Sequence, residues 1–225
     1  NIHNKILQGI RPNIVFILKV SKQSSKKRLK KRKTKNRYDN FAQSFYNKLK
    51  KKKISTILTR EPGGTKSSEL IRNLILKDYF TKENKEKFDK YTDTLLYLAA
   101  RNEHIKNKIK PALLKKKIVI CDRFIDSTIA YQVYGKKVDI KFINHIHKKI
   151  LQGITPNIVF VLKVSKESSR KRLKKRKTKN RYDNFSQSFY TKAQKTFIKI
   201  AKGKKNYFVL NSSVNDKSLE KKIFN

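Results

Sequence analysis

The chain has no methionine and no tryptophan, and only one cysteine, four prolines and six glycines in 225 residues. Each shortage excludes something. A lone cysteine rules out a disulfide framework and a metal knuckle. Cys121 lies in the apolar run KIVICDRF, which predicts a buried, unpaired strand thiol suited to a reducing cytoplasm. The missing methionine extends to position 1, so we expect the chain to begin inside a longer reading frame. No apolar run approaches the roughly 18–20 residues of a membrane span, and the opening residues do not read as a signal peptide, so none is expected. The glycines are Gly9, Gly63, Gly64, Gly135, Gly153 and Gly203, and no two of them bracket a GxxxxGK[ST] loop that could cradle phosphates.

Acidic residues are scarce as well. Sixteen stand against 59 lysines and arginines, for a formal charge of +43. Such a charge favours non-specific polyanion binding at low salt. The same excess of Lys, with abundant Asn, Ile and Phe, is what an A+T-rich genome writes on exposed positions. The basic residues run through the whole chain, and no zinc finger or aromatic ribonucleoprotein motif accompanies them.

What the chain does contain is a near-copy of itself. Residues 1–48 align with 145–192 at a constant offset of 144, with 40 identities in 48 positions. Solenoids need three or more stacked units to bury a core. Two close copies far apart indicate a duplication or a rearranged reading frame.

Five short apolar runs predict buried strands at Ile14–Val20, Ile54–Thr59, Ile118–Cys121, Ile158–Val164 and Tyr207–Leu210. Helical periodicity lies between them, at Ser67–Lys77, Tyr91–Ile109, Ile140–Leu151 and Phe185–Ala201. The serines of the first of these suit capping. Strands alternating with helices argue a parallel sheet covered on both faces. The basic stretch Lys174–Arg181 has no apolar face and reads as a solvated segment.

Two segments carry chemistry. TREPGGT (59–65) follows a strand at once, and its glycine pair permits a tight turn close to a ligand. ICDRF (120–124) ends another strand, where ligands of open parallel sheets sit. Asp122 there suits a Mg²⁺ shell or an arginine partner, and Arg123 suits a bidentate clamp on phosphate. A plain turn and a structural ion pair are the alternatives.

With LLYLAARNEH (95–104), PALLKKKIVICDRFIDSTIAYQ (111–132) and the basic segment before NRYDNF, these motifs resemble thymidylate kinase in order and spacing. The resemblance covers about Ile54 to the C-terminus. It implies an α/β fold of the P-loop kinase type, a three-layer five-stranded parallel sheet, and transfer of the γ-phosphoryl of MgATP to dTMP. The partners it implies are dTMP, ATP and a second copy in a homodimer, with Mg²⁺ as cofactor.

By the same resemblance Tyr97, where phenylalanine is usual, stacks on thymine, and Arg101 reads the base edge. Arg123 and Arg72 meet the acceptor phosphate. Thr128, Tyr131 and Gln132 surround base and sugar, and Arg60, Glu61 and Pro62 belong to the substrate-side turn. Arg172, Arg176 and Arg181 fall in or beside a lid at about 172–183, where guanidinium groups would offset charge developing during phosphoryl transfer.

The departure is at the start. Residues 1–50 stand where the family has its first strand and phosphate loop, and residues 51–225 form the thymidylate-kinase-like domain. After Ile14–Val20 comes SKQSSKKRLKK, without glycine, so side chains would hold the backbone away from a phosphate. Three readings follow: an impaired kinase, a non-catalytic relic that at most binds dTMP, or a basic nucleic-acid-binding protein. The duplicate strand is expected in the central slot, giving the order 54–59, 118–121, 14–20, 158–164, 207–210. Loose docking of the duplicate outside a four-stranded remnant is the alternative.

Overall fold

The computed structural model describes residues 14–19, 37–76, 87–165 and 187–212. In chain order the elements are β1 (Ile14–Lys19), α1 (Arg37–Lys51), β2 (Thr56–Arg60), α2 (Lys66–Leu76) and α3 (Lys90–His104). α3 runs on through a π-helical turn, Ile105–Ile109, into α4 (Lys110–Leu114). After β3 (Ile118–Asp122) come α5 (Ile125–Thr128), a second π turn (Ile129–Val133) and α6 (Tyr134–Lys136). The chain continues with α7 (Ile140–Leu151), β4 (Ile158–Lys163), α8 (Gln187–Ala201) and β5 (Tyr207–Asn211).

The strands form one sheet in the order β2-β3-β1-β4-β5, with every adjacent pair parallel. β1 pairs on one side with β3, Ile14 opposite Val119, and on the other with β4, Val15 opposite Ile158. β3 and β4 alternate between two apolar layers, as strands buried on both faces must. Val119, Cys121, Val159 and Val161 face one cluster with Ile105, Ile109, Phe124, Ala193 and Phe197. Ile118, Ile120, Ile158, Phe160 and Leu162 face the other, with Ala42, Phe45 and Leu49 of α1. Cys121 is a buried free thiol. Burial pushes its pKa up, reinforced by the Glu61 and Asp122 carboxylates.

The split follows from crossover handedness. β2→β3, β3→β4 and β4→β5 all step one way along the sheet, whereas β1→β2 steps back. Right-handed crossovers stepping in opposite directions lie over opposite faces. Among the described helices, α1 accordingly contributes alone to the second cluster.

Helix ends differ from the sequence expectation in detail. α2 is capped by Thr65 rather than by the serines. Its Oγ1 accepts from the Ser68 amide at 3.2 Å, and the Thr65 amide donates to Ser68 Oγ at 2.9 Å. This is a reciprocal box with serine in the place of the usual Glu or Gln. The predicted Tyr91–Ile109 helix starts at Lys90 and widens into a π turn after His104. Among the described residues no helix is long and apolar enough to cross a membrane.

Candidate acceptor site

Arg101 is the hub of the carboxyl ends of β2 and β3. It sits in the last turn of α3 and is 3% exposed. Its Nε donates to Glu61 Oε2 at 2.7 Å, and its Nη1 donates to Thr128 Oγ1 at 2.8 Å. Nη1 also lies 2.7 Å from His147 Nε2. A guanidinium only donates, so His147 Nε2 is the acceptor and the ring proton resides on Nδ1. Burial, and then the Arg101 charge, bring the His147 pKa down to about 3, which keeps this lone pair available at neutral pH. The Arg101 guanidinium also lies 5.2 Å from the centre of the Phe124 ring.

Glu61 holds the other end of the network. Its Oε1 lies 3.2 Å from His104 Nδ1, and His104 Nε2 lies 2.6 Å from Thr59 Oγ1. Burial alone would raise the Glu61 pKa, but Arg101 and His104 more than offset this and hold it below the usual range. Removing one member of such a pair leaves an uncompensated buried charge, at a cost of about 3–5 kcal/mol.

The turn after β2 forms a second, shallower cluster. Arg60 Nη2 donates to both oxygens of Glu69, at 2.8 and 3.0 Å, and the Gly64 amide donates to Glu69 Oε1 at 3.0 Å. Burial opposes ionisation of Glu69, but Arg60 and this amide keep its pKa below the ordinary value. Arg72 is buried and donates from Nη1 to the Pro62 carbonyl at 2.6 Å. Burial and neighbouring Arg60 bring its pKa down to about 10, so it stays cationic at pH 7.

Tyr97 is half-buried on α3, one turn before Arg101, and its electrostatic influence reaches Arg72. Asp122 ends β3, in register with Arg60 on one side and Ile17 on the other. Arg123 follows with φ of 71°, a left-handed conformation uncommon outside glycine. Its guanidinium stacks 4.6 Å from the centre of the Tyr131 ring. Tyr131 in turn packs against Phe189 and Phe197, each with centroids 5.9 Å away. Gln132 is buried beside it in the π turn.

Thus Glu61, Arg101 and Thr128 meet directly, Arg123 meets Tyr131, and Arg72 meets Pro62. Arg60 is turned to Glu69. Arg172, Arg176 and Arg181 lie outside the described residues, as does the lid at about 172–183. Sequence reasoning missed His104, His147 and Glu69. For His104 the signal was its spacing, three residues after Arg101 on one helix face.

The donor chemistry is tested by the same geometry. Among the described residues no group of three or more His, Cys, Asp or Glu could hold a metal ion. A Mg²⁺ shared with substrate phosphates needs only one or two carboxylates, and Asp122 fits that demand. Among the described residues, the glycine pair after β2 is not shaped as a triphosphate cradle. A Cβ on Gly63 would fall 2.5 Å from Glu69 Oε1, and one on Gly64 would fall 2.5 Å from Thr59 Oγ1 and 2.7 Å from His104 Nε2. These glycines are closed against protein atoms, so they shape the turn and leave no phosphate nest.

Arginines gathered beyond the carboxyl ends of an open parallel α/β sheet mark the place where such folds bind ligands, here ones with anionic groups. The thymidylate kinase family profile matches residues 39–223. Thymidylate kinase from Wolbachia of Brugia malayi is 43% identical over 145 residues, 64% of this chain and 65% of its own length. That of the Culex pipiens Wolbachia is 41% identical over 167 residues, covering 74% of this chain and 76% of its own. The crystal structure of thymidylate kinase from Ehrlichia chaffeensis superposes with a TM-score of 0.63 at 27% identity, over 94% of this chain and 96% of that one. The chain belongs to the thymidylate kinase family.

Proposed function

We propose that this chain is a thymidylate kinase by descent that keeps the dTMP acceptor site and, alone, transfers little phosphoryl from MgATP to form dTDP. The supporting observation is the buried network in which Glu61, Thr128 and His147 hold Arg101 beside Tyr97. Arg101 and Tyr97 would take the thymine, with Thr128, Tyr131 and Gln132 around base and sugar. Arg72 and Arg123 would take the phosphate, with Asp122 holding Mg²⁺. Arg60, Glu61 and Pro62 act behind these groups: Glu61 is occupied by Arg101 and His104, and Arg60 by Glu69.

The duplicate strand β1 stands in for the family's first strand, and the glycine-free segment after it stands in for the donor loop. The described residues offer a bound triphosphate no cradle, which is why little transfer is expected. Calorimetry with dTMP and an ATP-turnover assay test the two halves separately. Saturable dTMP binding with background turnover is expected. No dTMP binding removes the acceptor-site reading, and turnover at an ordinary kinase rate of ~1–100 s⁻¹ removes the impairment.

We also propose that two copies pair through α2 and α3, whose Leu70 and Leu95 are 71% and 47% exposed. A sedimentation mass of one chain at micromolar concentration contradicts this. A cytoplasmic setting and salt-sensitive polyanion binding complete the reading.

A further inference from the structure

The buried stripe of α7 is Ile143, His147 and Leu151. Two of its three residues are core aliphatics, and the third is a histidine whose Nε2 meets a guanidinium. A histidine on such a stripe is more readily kept for packing, but here the hydrogen bond gives it a second task. Arg101 has five N–H donors in a rigid fork. Nε is fixed by Glu61, and Nη1 by Thr128 together with His147. Within the described residues Nη2 makes no hydrogen bond. Glu61 pins only one edge of the fork. Thr128 and His147 come from two further elements, α5 and α7, and set the plane in which the fork lies.

We propose that His147 is the positioning residue for Arg101: by accepting from Nη1 it fixes the guanidinium plane and leaves Nη2 to meet the base of the bound nucleotide. The proposal rests on the acceptor-site reading above. It requires the tautomer with the proton on Nδ1, because a proton on Nε2 would set donor against donor at 2.7 Å. His147 itself never touches substrate and acts only through Arg101.

The test compares the parent chain with His147→Leu, which removes the acceptor, and His147→Gln, whose amide oxygen replaces it. Titrations use dTMP and, as a base-free probe, 2-deoxyribose 5-phosphate. In His147→Leu, dTMP affinity is expected to fall about 10- to 100-fold, the worth of one hydrogen bond to a charged group. Affinity for the base-free probe should not change, and His147→Gln should restore dTMP binding. In the same three proteins, ¹⁵N NMR should show slow rotation of the Arg101 guanidinium in the parent and His147→Gln, and fast rotation in His147→Leu. The parent spectrum should also show His147 Nε2 unprotonated at pH 7.

Equal dTMP affinity in parent and His147→Leu overturns this proposal and leaves the acceptor site standing. Equal loss for both ligands reduces His147 to a structural residue and overturns it too, as does a protonated Nε2. A parent that binds the base-free probe but not dTMP overturns both the proposal and the base-binding reading.

Discussion

The two copies of the repeated segment end in different jobs. In the first, β1 lies at the centre of the sheet and α1 covers one face. In the second, β4 lies beside β1 and α8 covers the opposite face. Phe45 and its counterpart Phe189 occupy the same place in nearly the same sequence. Phe45 is 2% exposed and meets the Phe160 ring edge-on, centroids 6.2 Å apart. Phe189 is half-buried and meets Tyr131, the ring under Arg123. Local sequence writes strand and helix into both copies. The direction of the crossover decides which face each helix covers, and so whether the segment touches the site.

The strand copies also show that identity does not set register. In-register stacking would put Ile14 beside its counterpart Ile158, but the ladder pairs Val15 with Ile158. A shift of one residue exchanges which side chains face which layer. The sequence of β1 is apolar at five of six positions, so its alternation does not favour one register over the other.

The contrast can be broken most forcefully at the phenylalanines. Phe45→Ala is expected to lower unfolding stability by about 3–5 kcal/mol in urea melts, with dTMP affinity unchanged where the protein is folded. Loss of dTMP affinity by the folded variant would show that the first copy also serves the site.

A pH titration of stability sharpens the second copy's side of the comparison. The first copy's counterpart of His147 is His3, which lies outside the described residues. The folded pKa of His147, about 3, is below the unfolded value of about 6.5. Between these values the unfolded chain binds the extra proton, so stability falls as pH drops. From pH 7 to 5 this contributes a loss of about 2 kcal/mol, which His147→Gln should remove. Glu61, with its depressed pKa, adds acid sensitivity at lower pH, as its unfolded form protonates below about 4.3. Parallel curves for parent and His147→Gln above pH 5 would contradict the neutral-histidine geometry.

Phe189→Ala is expected to cost less stability than Phe45→Ala, about 1–2 kcal/mol for a half-exposed ring, but to weaken dTMP binding by loosening Tyr131. A drop in stability without any change in dTMP affinity would make the two copies equivalent scaffolds. The smallest effect is the preference for dTMP over its uridine counterpart, about 1 kcal/mol for one methyl group, measured by competition calorimetry. A preference for the uridine nucleotide would remove the thymine pocket.

The sheet and its two covering layers were largely legible in the chain. The apolar runs gave strands with nearly the right ends, and the resemblance placed Arg101 and Thr128 in one site. The links between them were not legible because they join distant residues: 40 positions separate Glu61 from Arg101, and 46 separate Arg101 from His147. His147 was hidden for a further reason. On α7 the isoleucines Ile143, Ile146 and Ile150 dominate the periodicity, so a histidine between them reads as part of the apolar face. The capping of α2 by Thr65 was obscured by two adjacent serines, either of which suits a cap.

The proposed dTMP binding and the proposed lack of phosphoryl transfer are both visible in one experiment. In ³¹P NMR of the chain mixed with dTMP and MgATP, the dTMP resonance should shift and saturate while no dTDP signal grows above background. A dTMP resonance unmoved by protein, or dTDP accumulating at an ordinary kinase rate, would contradict the account.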